Sequence, residues 1–519
     1  MTSPDHSESP QSKPRRLRRT LRTLGLLVLL PILAFVGSYA FVVISGNINL
    51  NDAIAETERL DGPWRLPDVD AKRAVIPDSE NSSLQVTVAA QALPAKWPRW
   101  DHSFANIKDG EEAYLAAEGD RALSSSFSER KPPVQLNEVQ ITSLREELKR
   151  AQAALTIARK LADLPRGRYP VTFSADFIRT RNYGHVQGPR SIAELLKYDA
   201  VLRAQERDAD GAIRSCLAAL NAGRSFGDEP SYVSQLVRMN CAFVATHEIV
   251  GSLALGESST DALTAAQRLL SEDAEEPLLL YATRGERASM DLYLDAVQAG
   301  EVGFSGVRTL LTGKPSSDQL LSKDNWETLC FMGSIRTHRA ALLKCYTQLV
   351  EVGKLPGEIQ TQKLNELKSG VKAEIRYSLL DLEYTMKAGC QLGLSMTRLC
   401  AYQRSAAVAM ALERYRKDRG NWPGSLAGLV PKYLEKVPLD PFDGKPLRFG
   451  TFDKGVVIYS VGSDGVDNGG HVERDTIGEE GMDFGFRLWD VKHRRQPAKP
   501  FEKPKRSDLF EEPGGAGSD

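Results

Sequence analysis

From Leu24 to Ile44 the chain carries no charged side chain. At the helical rise of 1.5 Å per residue, this run is long enough to cross a hydrocarbon core of about 30 Å. Directly ahead of it, Lys13, Arg15, Arg16, Arg18, Arg19 and Arg22 crowd into a polar tail. Basic residues are retained on the cytoplasmic side of a membrane, which fixes an expected topology. Residues 1–22 are a basic cytoplasmic tail and residues 23–45 a transmembrane helix in contact with lipid over 24–44. Everything after Ser45 is extracytoplasmic (periplasmic). Ser38-Tyr39-Ala40 has the small residues of a cleavage site, so a removed signal peptide is the competing reading. The length of the run and its continuation through Phe41 to Ile44 favour an uncleaved anchor. Pro31 inside it is tolerated in a membrane helix.

A chain of 519 residues has room for two or three domains beyond such an anchor. Its 67 basic and 68 acidic residues nearly cancel, so overall charge gives no reason to expect a nucleic acid partner.

The best-defined grammar lies near the C-terminus, between Ala401 and Trp489. Ala401, Ser405, Val408, Leu412 and Tyr415 recur at helical spacing on one face. Gly420 stands where a helix takes a left-handed cap, and Pro423 bars continuation. Ser425 is a fair N-cap for a short turn carrying Leu426, Leu429 and Val430. Pro438, Pro441, Gly444 and Pro446 then punctuate an extended passage. Leu447 to Phe452 and Val456 to Val461 read as strands joined by Asp453-Lys454-Gly455, the length of a three-residue hairpin loop. A loop rich in Asp and Gly runs from Gly462 to Gly470, and Phe484 to Trp489 reads as a last strand.

This order resembles the C-terminal domain of the type II secretion major pseudopilin. The resemblance rests on the helix ending at Tyr415 and Gly420, Trp422-Pro423, Ser425-Leu426 and Val437-Pro438. It continues through Asp440-Pro441-Phe442, Tyr459-Ser460-Val461-Gly462, Asp464-Gly465, Gly469-Gly470 and Asp475. It covers about a fifth of the chain. Two departures separate this chain from a pilus subunit. Residues 46–400 intervene between membrane segment and helix, and no Gly-Phe-Thr-Leu-Ile-Glu-like processing site is present. The resemblance implies calcium in the loop from Gly462 to Asp475. There Asp464, Asp467, Asn468 and Asp475 offer hard oxygen ligands, and the glycines let carbonyls converge. The spacing is not that of an EF-hand, and a solvated, turn-rich loop is the alternative.

Between these ends, residues 46–135 read as a partly irregular segment packing on the body. Trp97-Pro98-Arg99-Trp100 serves as packing anchors there, and Leu84 to Ala89 alternates weakly. Residues 136–395 read as helix after helix, with Leu196 to Ser225 resembling one tetratricopeptide-like hairpin about the Asp208–Gly211 turn. Residues 396–490 form the α+β pseudopilin-like unit, and 491–519 is a tail too polar and Gly-rich to bury a core. The expected fold is therefore mainly α: one transmembrane helix, a helical bundle or short α-solenoid, then a small α+β domain.

No catalytic constellation stands out. His247-Glu248 lacks the second histidine of a zinc-protease motif, since position 251 is Gly251. Asp228 and Glu229, ahead of the helix carrying Arg238, read as helix-capping acids. The six cysteines form no Cys-x-x-Cys pair and read mostly as small buried hydrophobes, although disulfides are open to an extracytoplasmic protein. The resulting expectation is an interaction or scaffold protein with a protein partner, associated with a secretion-like or cell-surface apparatus. The alternative is a cell-envelope hydrolase with a dispersed site in the helical region.

Overall fold

Helix α1 (Pro14–Asp61) changes character halfway along its length. From Leu26 to Ile44 its large apolar side chains stand exposed, whereas Leu50 and Ala53 are buried against Ala340 and Leu343. The computed structural model describes residues 14–101, 111–174, 184–301, 324–370, 382–472 and 482–501. Among them α1 is the one helix long and apolar enough to cross a membrane. Its far end is stapled down. Thr57 shares a 3.0 Å hydrogen bond with Thr347, and Asp61 binds Arg284, Arg287 and Lys354.

The stretch from 46 to 135 is more helical than its sequence suggests. After α1 come α2 (Leu66–Ala71), α3 (Ser82–Gln91) and α4 (Glu111–Ser128). The weak alternation at Leu84–Ala89 is part of α3, not a strand. Asn81 caps this helix by accepting from the Ser83 N–H at 3.1 Å. Val86 and Ala89 are buried while Leu84 and Val88 stay exposed. A short helix with one wet apolar edge imitates a period of two over six residues. Trp97 and Trp100 are buried anchors. Their indole N–H groups donate to the Glu147 carbonyl at 3.0 Å and to the Tyr198 hydroxyl at 3.2 Å.

The helical region follows: α5 (Glu138–Arg150), α6 (Gln152–Ala158), α7 (Gln187–Gln205), α8 (Ala209–Arg224), α9 (Tyr232–Leu253), α10 (Thr260–Ala274) and α11 (Leu278–Ala299). Then come α12 (Asp324–Gly353), α13 (Gly357–Gly370) and α14 (Leu382–Arg419). Local chemistry fixes several starts. Asn137 and Gln140 form a capping box, and Asp208, Ser231 and Ser259 each accept from a backbone N–H in the first turn. Helices α7 and α8 pack closely as a hairpin about Asp208.

Ala401 lies in the middle of α14, so a boundary at 396 falls inside one continuous helix. Beyond it a three-stranded antiparallel sheet has the order β1 (Arg448–Phe452), β2 (Gly455–Ser460), β3 (Phe484–Trp489). The β1–β2 loop is one residue shorter than read from the sequence. Phe452 pairs with Gly455, leaving Asp453-Lys454 as the turn. Gly455 pairs with Phe452 and Trp489 inside the sheet, where only glycine fits, since a Cβ would lie 1.9 Å from the Leu488 carbonyl.

Sheet and helices share one core. Tyr402 of α14 stacks on Phe484 and Phe486, with ring centroids 4.9 and 4.2 Å away, and meets Phe243 of α9 on its other side. Its hydroxyl is 2.9 Å from His247 Nδ1.

Candidate binding loop and buried charge nodes

Asp440 is fully buried and organises the C-terminal unit. Its Oδ1 accepts from the Phe442 N–H at 3.0 Å and the Ser460 hydroxyl at 2.8 Å. Its Oδ2 accepts from the Val461 N–H at 2.9 Å and from Arg448 at 2.9 Å. Ser460 Oγ in turn accepts from the Gly462 N–H at 3.1 Å. The Asp-Pro-Phe and Tyr-Ser-Val-Gly runs, twenty residues apart in the chain, are thus one hydrogen-bonded node. Trp422 is tied in separately, its indole donating to Asp490 at 2.8 Å.

The Asp/Gly loop leaves directly from this node. Asp464 Oδ1 accepts from the Val466 N–H at 3.1 Å. Asp467 Oδ1 accepts from the Gly469 N–H at 2.9 Å and the Tyr459 hydroxyl at 3.0 Å. The Asn468 side-chain amide donates to the Val466 carbonyl at 3.1 Å. These are the local turns that Asp and Asn favour. Asp475 lies outside the described residues. The structure adds Asp483, which is buried and accepts from the N–H groups of Asn468 at 3.2 Å and Gly470 at 2.7 Å. Burial pushes the Asp483 carboxyl above its usual range against those two hydrogen bonds, and nearby Asp467 adds to the rise. Burial likewise raises the Tyr459 hydroxyl to about 12, reinforced by its bond to Asp467.

Gly470 allows this closure. Its φ is +81°, and a Cβ there would come within 2.7 Å of Val457. As a calcium fit, the loop supplies carboxylate and amide oxygens on one short turn, several already engaged by backbone N–H groups. Among the described residues no three His, Cys, Asp or Glu side chains converge as a metal-binding group.

The helical region holds a node of different chemistry. Asp273 Oδ1 accepts from Arg224 at 2.7 Å and Arg238 at 2.9 Å, and its Oδ2 from Gln403 at 2.7 Å. Burial alone would raise this carboxyl, but Arg238 and Arg224 outweigh it and hold it below the usual range. The node joins α8, α9, α10 and α14 around one charge. Arg238, which the sequence associates with Asp228 and Glu229, belongs here.

Those two acids do not cap α9; Ser231 does. Asp228 accepts from Arg73 at 3.2 Å and from the Ala74 N–H at 3.0 Å. Glu229 Oε1 takes the Ser234 hydroxyl at 2.5 Å and stands 2.8 Å from His185 Nε2. Serine and imidazole meet on the same carboxylate oxygen. The hydroxyl is therefore not handed to the ring, which nucleophile activation requires.

Asp61 and Asp228 also line a cleft of about 140 Å³ with Lys72, Arg73, Tyr281 and Arg284. Burial opposes the charge on Asp61, yet hydrogen bonds from Arg284 and Arg287 hold its carboxyl well below the usual range. Both acids there are engaged by arginines, so the cleft presents no poised acid–base pair.

Among the cysteines whose side chains are described, which leave out Cys330, no alternative nucleophile stands out. Cys216, Cys241, Cys390 and Cys400 form no disulfide, and all but Cys400 are buried, as is Cys345. Burial pushes the thiols of Cys241 and Cys400 up to about 12 and that of Cys390 to about 11. His247-Glu248 is structural as well: Glu248 forms a buried pair with Arg130 at 2.5 Å.

Set against family models, curated proteins and solved structures, the chain matches none of them.

Proposed function

We propose that this chain is a membrane-anchored, extracytoplasmic interaction protein that presents residues 401–489 to a secretion-like or cell-surface apparatus. The observation that carries the reading is the continuity of α1. An exposed apolar run and a segment buried in the core belong to one helix, which suits a body held firmly on its anchor. The meeting of the Asp440 and Ser460 motifs in one node supports the pseudopilin-like reading of the C-terminal unit. The paired state of the acids in the cleft argues for docking over hydrolysis.

Crosslinking in native membranes, followed by purification of the full chain and mass spectrometry, tests this. Crosslinks from residues 401–489 to components of a secretion or surface apparatus are the expected result. A protein recovered alone would overturn it.

For the Asp/Gly loop we propose calcium, held by Asp464, Asp467 and Asn468 with Asp475. The crowding of Asp467 against buried Asp483 supports this, since a divalent cation would relieve the repulsion. Calcium is expected to raise the melting temperature of the full chain relative to chelator, because a ligand that binds only the folded state stabilises it. Coincident curves would remove calcium from the account.

A further inference from the structure

Helix α12 runs parallel to α1, and the pairing begins inside the apolar run. Gly333 sits so close to Tyr39 that a Cβ on it would lie 2.7 Å from the ring. Further along, Gly46 abuts Thr337, Leu50 and Ala53 meet Ala340 and Leu343, Thr57 bonds Thr347, and Asp61 pairs with Lys354. From Tyr39 to Asp61 and from Gly333 to Lys354 the two helices advance by nearly equal numbers of residues, so the register holds throughout. Small residues at both close approaches permit backbone-to-backbone packing of the kind that joins helices in lipid.

This register has a consequence for the membrane, and it rests on the anchoring reading above. Tyr39 lies five residues before Ile44, about 7.5 Å inside the apolar run at 1.5 Å per residue. We infer that α12 is a second membrane-contacting element, with its Gly333 turn in the outer leaflet beside Tyr39 and the lipid bilayer as its partner. Arg336 lies one turn further on, at the level of Gly46 and just beyond the run. That level corresponds to the lipid phosphates, which an arginine suits. The sequence also limits the depth. Asp324 and Glu327 stand at the start of α12, and a carboxylate is costly at the bilayer centre. Local thinning of the bilayer and water drawn to that end of α12 offset part of this cost.

The body therefore rests on the bilayer instead of swinging from a flexible tether. The test uses the full chain in liposomes of phosphatidylcholine bearing a diazirine in its acyl chain, photolysed and mapped by peptide mass spectrometry. Adducts are expected on peptides from 24–44 and on the peptide containing Gly333, with β1–β3 unlabelled. Adducts on 24–44 alone would overturn the inference and leave the anchor intact. Adducts on neither peptide would remove the anchor and the inference together. Labelling spread evenly over the body would also overturn it, as non-specific insertion.

Discussion

Asp273 in the helical region and Asp483 beside the C-terminal sheet are both buried carboxylates, yet their surroundings act in opposite directions. Asp273 faces two guanidinium groups and the Gln403 amide, so its charge is matched by charge. Asp483 faces backbone N–H groups and a neighbouring Asp467, so dipoles must offset burial while a like charge opposes them. The first arrangement clamps helices that are far apart in sequence. The second shapes a loop and leaves it short of positive charge, which is the condition under which a cation would be welcome.

The largest effect is expected from Asp273→Asn. It leaves Arg224 and Arg238 buried with only the longer contacts to Glu276, at 3.9 and 3.6 Å, to balance them, and breaking such a cluster costs about 3–5 kcal/mol. Chemical denaturation of the purified full chain should show that loss. A change below about 1 kcal/mol would mean the node behaves like an exposed pair. Asp440→Ala ranks next, because it strands the Phe442 and Val461 N–H groups, while Arg448 keeps Asp443. Unsatisfied buried donors cost about 1–3 kcal/mol each, so a loss of about 2–4 kcal/mol is expected, read first as faster hydrogen exchange in β1 and β2. Retained protection there would dissolve the idea of a single node.

The smallest effect is the pH response, which sharpens the contrast. Asp273 has its folded value below the ordinary 3.8, so its contribution is complete above that value and is lost as pH falls through the lower one. Asp483 has a raised value. Its contribution is complete below 3.8 and is lost as pH rises through the folded value. Once the intrinsic exchange rates, which themselves slow on acidification, are divided out, protection is expected to rise around Asn468–Gly470 on acidification in chelator and to stay unchanged around Asp273. Parallel behaviour of the two sites would show that their environments do not differ as described.

Much of the architecture was legible in the sequence because it is written in local signals. The apolar run, the unbroken apolar stretch of β2 and the alternating residues of β3 each announce themselves within a few positions. Residues 46 to 135 were harder, since the continuation of α1 is buried against distant Ala340 and Leu343, and α3 against α6 and α7. The site residues divide the same way. Asp464, Asp467 and Asn468 stand out within a turn-forming run. Asp483 and Asp273 acquire their roles only through residues brought in by the fold, and no spacing in the chain marks either one. A lone Asp beside Phe484 could have been flagged only as a polar residue opening an apolar strand.

The central claim is that residues 401–489 are a rigid extension of the body, carried on α14 and held by Tyr402 and Gln403. Native-state hydrogen exchange of the full chain in detergent or liposomes tests it most directly. Amides of α14 on both sides of Ala401 should open together with α10 and β2, as one cooperative unit. Opening of 401–489 at markedly lower free energy than 382–400 would contradict the account, and would make this unit a loosely tethered module.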